Sequence, residues 1–310
     1  MCNSISENKT KTDLCEILGI KQEDLVQLVL PFTVAKATYP CAVQEKYDGC
    51  FCIAYRDMNS EDGFSYTKIY SRTGKHYLSM QHLEKCFDEM FNGTNKDFVI
   101  FEAYIPNTIQ SEISGACRDT VNQHPEIIAV IHDWLTMGEY LGKVQTPYNT
   151  RLGELIVAYS NFHYPCMMLP KGRVCYNLQQ IKDFAQEIFD RGGEGVVVKK
   201  LAGYYKHGKR VADLMKYKQT ISYDLEVVDL QEGTGRYKNA VGSLICRFSG
   251  NRLISVGTGL TAQQRKLWWL NKNLAIGQIA EVQAMRLTAS GLLREPRFKG
   301  FRTDKAVADY

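Results

Sequence analysis

The sequence predicts an α+β protein in two parts: sheets with flanking helices, then a small Greek-key barrel. Three observations carry this. Apolar and β-branched runs recur through the first two-thirds of the chain, at Cys41 to Arg56, Ser65 to Ser71, Phe98 to Tyr104, Glu126 to Leu135 and Gly195 to Lys200. Two stretches between them have helical spacing, Leu78 to Phe91 and Leu178 to Arg191. After Lys218 the pattern changes to short strands separated by turn signals.

In order, the chain opens polar and then turns helical in pattern to about Gln27, with Leu14, Ile17, Leu18, Leu25 and Leu28 as its apolar positions. In the first long helix Leu83, Cys86, Phe87 and Met90 fall on one side. The second stops at Gly192-Gly193, because glycine readily takes the left-handed turn that ends a helix. The later strand candidates are DLEVVDLQEG, GSLICRFSG, RLISVGTG, GQIAEVQAMRLT and PRFKGFR. One helix, Thr261 to Asn273, interrupts them, with Thr261 placed to cap it. Five strands and one helix fit an OB-fold. The boundary falls near Gln219 to Tyr223, giving domains 1–219 and 220–310.

Of the 310 residues, 45% are hydrophobic and 23% charged, as in soluble globular proteins. No apolar run approaches the roughly 20 residues that span a bilayer. The N-terminus MCNSISENKTKTDLCEIL has no signal-peptide core, so a cytoplasmic protein is expected, with no membrane partner. The net charge of +4 does not by itself demand nucleic acid, but the C-terminal LLREPRFKGFRTDK is basic enough to meet phosphate. Ten cysteines contain no C-x-x-C pair, and six histidines no H-x-x-x-H pair, so a structural zinc site is not expected. Cys50 and Cys52, two apart on a strand, should share one face. Nothing indicates an oligomer, and a monomer is expected.

The chemistry centres on QEKYDGCFC, where Lys46 stands in a strand-like run just before an Asp-Gly turn. A lysine amine attacks only when neutral, and its free pKa of about 10.4 leaves little neutral amine at pH 7. Nearby cations or desolvation must lower it. Glu102 ends the run FVIF, and Glu194 precedes GVVV. Lys199, Lys216 and Lys218 lie on or after that second run, the last two on one face of a strand. Two carboxylates could hold a divalent metal through oxygen, and the lysines could clamp a polyphosphate. Each residue alone is more often plain solvated surface, and SRTG alone is a plain turn. Their order gives the weight.

That order resembles the covalent nucleotidyltransferases: ATP-dependent DNA ligases, RNA ligases and mRNA capping enzymes. EKYDG is similar to their motif I, SRTG to the motif after it, FVIFEA to motif III, VIHDWL to motif IIIa, EGVVVK to motif IV, LMKYK to motif V and REPRFKGFRTDK to motif VI. The resemblance spans about Val34 to Lys305. It implies an adenylyltransferase (ATP-grasp-like nucleotidyltransferase) domain of antiparallel sheets with flanking helices, followed by the OB-fold. It implies that Lys46 takes AMP from ATP, with Asp48 at the sugar or the reacting ends. Arg72 would contact the 5′-phosphate of the acceptor. Glu102 and Glu194 would bind ribose or Mg²⁺ (or Mn²⁺). His132 would stack on the base, in a place usually aromatic. Lys199, Lys216 and Lys218 would hold the α-phosphate, and Arg302 and Lys305 the pyrophosphate. Glu45 or its neighbours would line the adenine pocket.

Three positions depart from the family. Phe51 stands where DNA ligases often have arginine, Ile100-Phe101-Glu102 replaces D-G-E, and Leu214 replaces a tryptophan. The cysteine spacing and the short stretch before the first strand do not fit an NAD-dependent ligase, so ATP is expected. Brevity resembles the minimal bacteriophage or viral DNA ligases, with nicked duplex DNA as partner. An RNA ligase, a capping guanylyltransferase and a non-catalytic nucleic-acid-binding module are the alternatives.

Overall fold

The structure, a computed structural model, describes residues 13–57, 66–161, 164–288 and 290–310. The N-terminal polar stretch and Ser65 lie outside the described residues. The chain divides into two compact units, Met1–Tyr217 and Lys218–Tyr310.

In chain order the first unit runs α1 (Leu14–Leu18), β1 (Leu28–Pro31), β2 (Cys41–Glu45), β3 (Cys50–Asp57), β4 (Tyr66–Ser71), α2 (Gln81–Phe91), β5 (Phe98–Tyr104), α3 (Gln110–Arg118), β6 (Ile128–Leu135), α4 (Met137–Tyr140), α5 (Tyr148–Asn161), β7 (Met167–Met168), β8 (Gly172–Cys175), α6 (Leu178–Asp190), β9 (Gly195–Lys200) and β10 (Arg210–Lys218). The strands form two five-stranded sheets, β1-β10-β9-β2-β8 and β4-β3-β5-β6-β7. Both are mixed: β1 runs parallel to β10, and β6 to β7, while β2 runs antiparallel to β8 and β9, β3 to β4 and β5, and β5 to β6.

The run Cys41 to Arg56 divides into β2 and β3, which belong to different sheets. Residues 46–49 therefore cross from one sheet to the other. The second sheet is buried on both faces. Cys52, Ala54, Val99 and Phe101 pack toward the core holding Leu83, Phe87 and Met90 of α2, while Ile53, Tyr55, Phe98 and Ile100 pack toward Leu14, Leu25 and Tyr140. Burial on both faces explains why FVIF shows no polar alternation. Cys50 and Cys52 share the first of these cores, as their spacing predicts. In the first sheet Cys41, Val43, Val196 and Val198 pack against Ile181, Phe184, Ala185 and Ile188 of α6. Asn177 caps α6 by accepting from the Gln180 amide at 3.0 Å, and the left-handed Gly192 (φ 78°) follows its end.

The second unit runs β11 (Ile221–Glu232), β12 (Val241–Phe248), β13 (Arg252–Val256), α7 (Ala262–Leu270), β14 (Ile279–Ala284), β15 (Arg286–Leu287), β16 (Leu293–Arg294) and β17 (Arg297–Phe301). Its main sheet is β13-β12-β11-β14-β17. The long β11 pairs with β14 over Ile221–Glu226 and with β12 from Val227 onward, so one strand serves both halves. A bridge between Thr258 and Arg297 joins the segment after β13 to β17, bringing the two edges of the sheet together. This closure depends on Gly259, because a Cβ there would lie 2.1 Å from the Phe298 carbonyl oxygen. Trp268 of α7 packs on Phe298 and Phe301. Thr261 and Gln264 form a reciprocal capping box at the start of α7.

Candidate active site

Lys46 sits at the crossing between the two sheets of the first unit. Its amide donates to the Gly195 carbonyl at 2.9 Å, which ties the crossing to β9. Its Nζ donates to Glu194 Oε2 at 2.6 Å, and the Glu194 side chain is only 7% exposed. A buried carboxylate at this distance makes a strong, charge-assisted bond that fixes the amine. Glu194 stands just before β9, where the glycine turn after α6 delivers it.

Glu102 enters from β5. The Gly49 amide donates to its carboxylate, and Lys46 favours its ionised form, yet burial dominates and pushes its pKa up to about 7, with Cys50 and Glu194 acting in the same direction. Gly49 is required by this close approach: a Cβ would lie 2.2 Å from the Ala103 carbonyl oxygen and 2.9 Å from Glu102 Cγ.

His132 comes from a bulge in β6. Ile100 pairs with Asp133 and Phe101 with Ile131, so His132 has no partner in the register. A bulge re-aims its residue and frees its backbone groups. The freed His132 carbonyl accepts from Lys199 Nζ at 2.8 Å. Burial, with Lys199 and Lys46 nearby, holds the imidazole pKa well below its usual value, so the ring is neutral.

Lys199 is buried and also donates to the Tyr148 hydroxyl at 3.1 Å, with its ammonium 4.4 Å from the centre of that ring. Burial lowers its pKa to about 8, opposed by Asp133. Beneath it Arg151 grips Asp133 with two bonds of 3.0 and 2.8 Å. Tyr148, Arg151 and Asp133 were not singled out from the sequence. The aspartate of VIHDWL and the arginine of α5 were the signals available.

Gln44 is the other unforeseen member. It faces Val197 across the β2–β9 pairing, and Ala42 faces Lys199, so Gln44 and Lys199 share one face of the first sheet. Gln44 is 6% exposed and hydrogen-bonds to Tyr148, but its Oε1 has no hydrogen-bond partner among the described residues. An unmet buried acceptor is costly unless a ligand supplies the donor. Glu45 is engaged elsewhere, by the Tyr47 hydroxyl at 3.4 Å and Arg191 at 3.5 Å.

The structure thus gathers Lys46, Glu102, Glu194, His132 and Lys199. Asp48 lies in the same crossing, half-buried. Arg72 is exposed on the turn after β4, where the Ser71 hydroxyl accepts from the Thr73 and Lys75 amides. Lys216 lies on β10 beside Pro31 of β1, and Lys218 ends that strand with its Nζ 3.9 Å from Met285 Sδ. Arg302 and Lys305 belong to the second unit, where both bind the buried carboxylate of Asp224, Arg302 at 2.9 Å. Of the departures, Phe101 is fully buried and packs 5.1 Å from Phe87, and Phe51 packs against the core on the other face of the sheet.

Two sheets meeting at a fixed lysine between carboxylates, followed by an OB-like barrel, define a nucleotidyltransferase. The ATP dependent DNA ligase domain matches residues 30–218, and the DNA ligase OB-like domain matches residues 232–302. The chain belongs to the ATP-dependent DNA ligase family. It is 36% identical over 138 residues to DNA ligase 1 of Methanosarcina mazei, a stretch covering 40% of this chain and 23% of that protein. To the DNA ligase of Enterobacteria phage T4 it is 26% identical over 144 residues, covering 44% of this chain and 29% of that one. The matched stretches span less than a third of either relative. A solved Lig E DNA ligase shares the fold, with a TM-score of 0.68 at 17% identity over 90% of this chain and 99% of that one. No helix among the described residues is long and apolar enough to cross a membrane.

Proposed function

We propose that the protein seals nicks in duplex DNA, joining a 5′-phosphate to a 3′-hydroxyl with ATP, through AMP carried on Lys46. The observation that supports this most is the 2.6 Å bond from Lys46 Nζ to buried Glu194, which fixes a nucleophile within a pair of carboxylates. In the first step Lys46 Nζ attacks the α-phosphorus, pyrophosphate leaves, and Glu194 is the nearest base for the amine proton. In the second an oxygen of the DNA 5′-phosphate displaces Lys46 from AMP. In the third the 3′-hydroxyl attacks the phosphorus of the adenylated DNA 5′-phosphate, the phosphodiester forms and AMP leaves. Such transfers depend on in-line positioning and charge neutralisation.

The remaining residues take roles in binding. The neutral His132 ring stacks on adenine. Gln44 Oε1 accepts from the adenine amino group, and guanine presents an oxygen acceptor at that position, which favours ATP over GTP and a ligase over a capping enzyme. Lys199, Lys216 and Lys218 hold the α-phosphate, and Asp48 orients the sugar or the reacting ends. Arg72 meets the acceptor phosphate, and Arg302 and Lys305 serve the departing pyrophosphate. Among the described residues no three His, Cys, Asp or Glu side chains form a metal cluster. Glu102 and Glu194 are nonetheless two hard oxygen donors beside Lys46, a set that suits Mg²⁺ when phosphates and water fill its other positions. Bound there, Mg²⁺ would neutralise phosphate charge.

The test is intact-mass analysis with Mg²⁺ and ATP, GTP or NAD in turn, followed by a nicked-duplex sealing assay. An AMP adduct from ATP alone, absent in Lys46→Ala, and a sealed product are expected. A GMP adduct would move the reading to capping, and sealing of RNA but not DNA to an RNA ligase. No adduct, in protein not already adenylated, would leave a binding module.

A further inference from the structure

Six of the nine described cysteines are buried, and only Cys15, Cys86 and Cys166 are partly open. Two of these three meet. Cys86 Sγ on α2 lies 3.2 Å from Cys166 Sγ, just before β7, although 80 residues separate them. A disulfide bond is about 2.05 Å long, so closure asks each sulfur to move by well under about 1 Å.

The position of this pair gives it a consequence. The second sheet has β4 at one edge and β7 at the other. Helix α2 is already bound to the β4 edge: Asp88 accepts from the Thr67 amide at 2.6 Å, and Glu84 from the Ile69 amide at 3.3 Å. Its His82 reaches the Ile127 carbonyl, next to β6, at 2.8 Å. The Cys166 carbonyl in turn accepts from the Ala129 amide of β6 at 2.8 Å. A bond from Cys86 to Cys166 would therefore carry α2 across the full width of the sheet.

We propose that Cys86 and Cys166 are an oxidation site, closing to a reversible disulfide that straps the second sheet from edge to edge. Two S–H bonds break and one S–S bond forms. The two electrons and two protons pass to hydrogen peroxide, giving two waters, or to a small disulfide, giving two thiols. Burial and the neighbouring Cys166 raise the Cys86 pKa to about 12, so closure should speed up as pH rises. This inference is independent of the proposed DNA sealing.

The experiment treats the whole protein with hydrogen peroxide or oxidised glutathione, quenches with N-ethylmaleimide and maps non-reduced peptides. The expected first product links Cys86 to Cys166, is reversed by dithiothreitol and is absent from Cys86→Ser and Cys166→Ser. Closing so long a loop should raise the melting temperature of the wild type by roughly 5–10 °C and leave both variants unshifted. A different first pair, or separate oxidation of the two sulfurs, overturns the site. The link without a thermal shift overturns the strap. If the serine variants fail to fold, the wild-type peptide map and the melting shift reversed by dithiothreitol decide alone.

Discussion

The two units handle charge in opposite ways. In the first, ionisable side chains lie against apolar cores, and burial shifts them: Glu102 up to about 7, Lys199 down to about 8, His132 to neutrality. In the second, Arg302 and Lys305, both partly open to solvent, reach in to the buried carboxylate of Asp224, and the exposed Asp304 pairs with Arg302 at 2.7 Å. Besides Asp224 it buries Arg265, which donates to the backbone carbonyls of Val241 and Gly242 at 2.7 Å. Desolvated groups close in pKa suit proton and phosphoryl chemistry, whereas solvated cations suit contact with a polyanion. Under the proposed function, the difference would divide the labour between reaction and grip.

Four variants and one salt titration can break or sharpen this division. The largest effect is expected from Lys46→Arg. It keeps the charge beside Glu194, but a guanidinium cannot deprotonate to attack. AMP transfer, read by intact mass, should fall by at least ~10³-fold, and retained transfer would remove Lys46 as the nucleophile. Next comes Gly49→Ala, whose Cβ meets the Ala103 carbonyl. It should cost the first unit roughly 1–3 kcal/mol, with faster amide exchange in β3 and β5 and none in β12. Exchange that rose equally in both units would mean they do not behave separately.

The third is the pH dependence of stability. Glu102 has a folded pKa of about 7 against an ordinary 4.5, so the folded state holds the extra proton. Its favourable contribution is full below 4.5 and is lost as pH rises through about 7. Glu102→Gln should flatten that slope, by a few kcal/mol at most, and an unchanged slope in chemical denaturation would show that burial does not control this carboxyl. The smallest effect is expected from Asp224→Asn. It should speed exchange over residues 302–309 by roughly tenfold or less, because the bonds it weakens are partly solvated. A collapse of the barrel would show that Asp224 supports the core instead. In the same spirit, salt should weaken sealing more than adenylation, since backbone grip is lost with counterions.

How much was legible depended on the range of the signal. Phe98–Tyr104 and Gly195–Lys200 match their strands end for end, and α6 begins where its apolar spacing begins, because strand and helix periods are local. Three helices escape the sequence reading for a local reason as well: α4 is a single turn of four residues, too short to show a period. α5 buries Tyr148, Arg151 and Leu155, so an arginine interrupts its apolar stripe, and α3 buries only Ile113 and Cys117. The early helical pattern splits into α1, a single 3₁₀ turn at Gln22–Asp24 and β1, since a few leucines fit either period.

The sequence by itself determined the order of the site motifs, the two-part architecture and Lys46 with its two carboxylates, because each is written in short, contiguous patterns. Only the tertiary structure decided that His132 sits on a bulge, that Lys199 packs on Tyr148, that Gln44 carries an unmet acceptor and that Cys86 lies beside Cys166. Each of these joins strands or helices far apart in the chain. Periodicity reports which face a residue takes, and the packing of one sheet against another selects which partner it finds there.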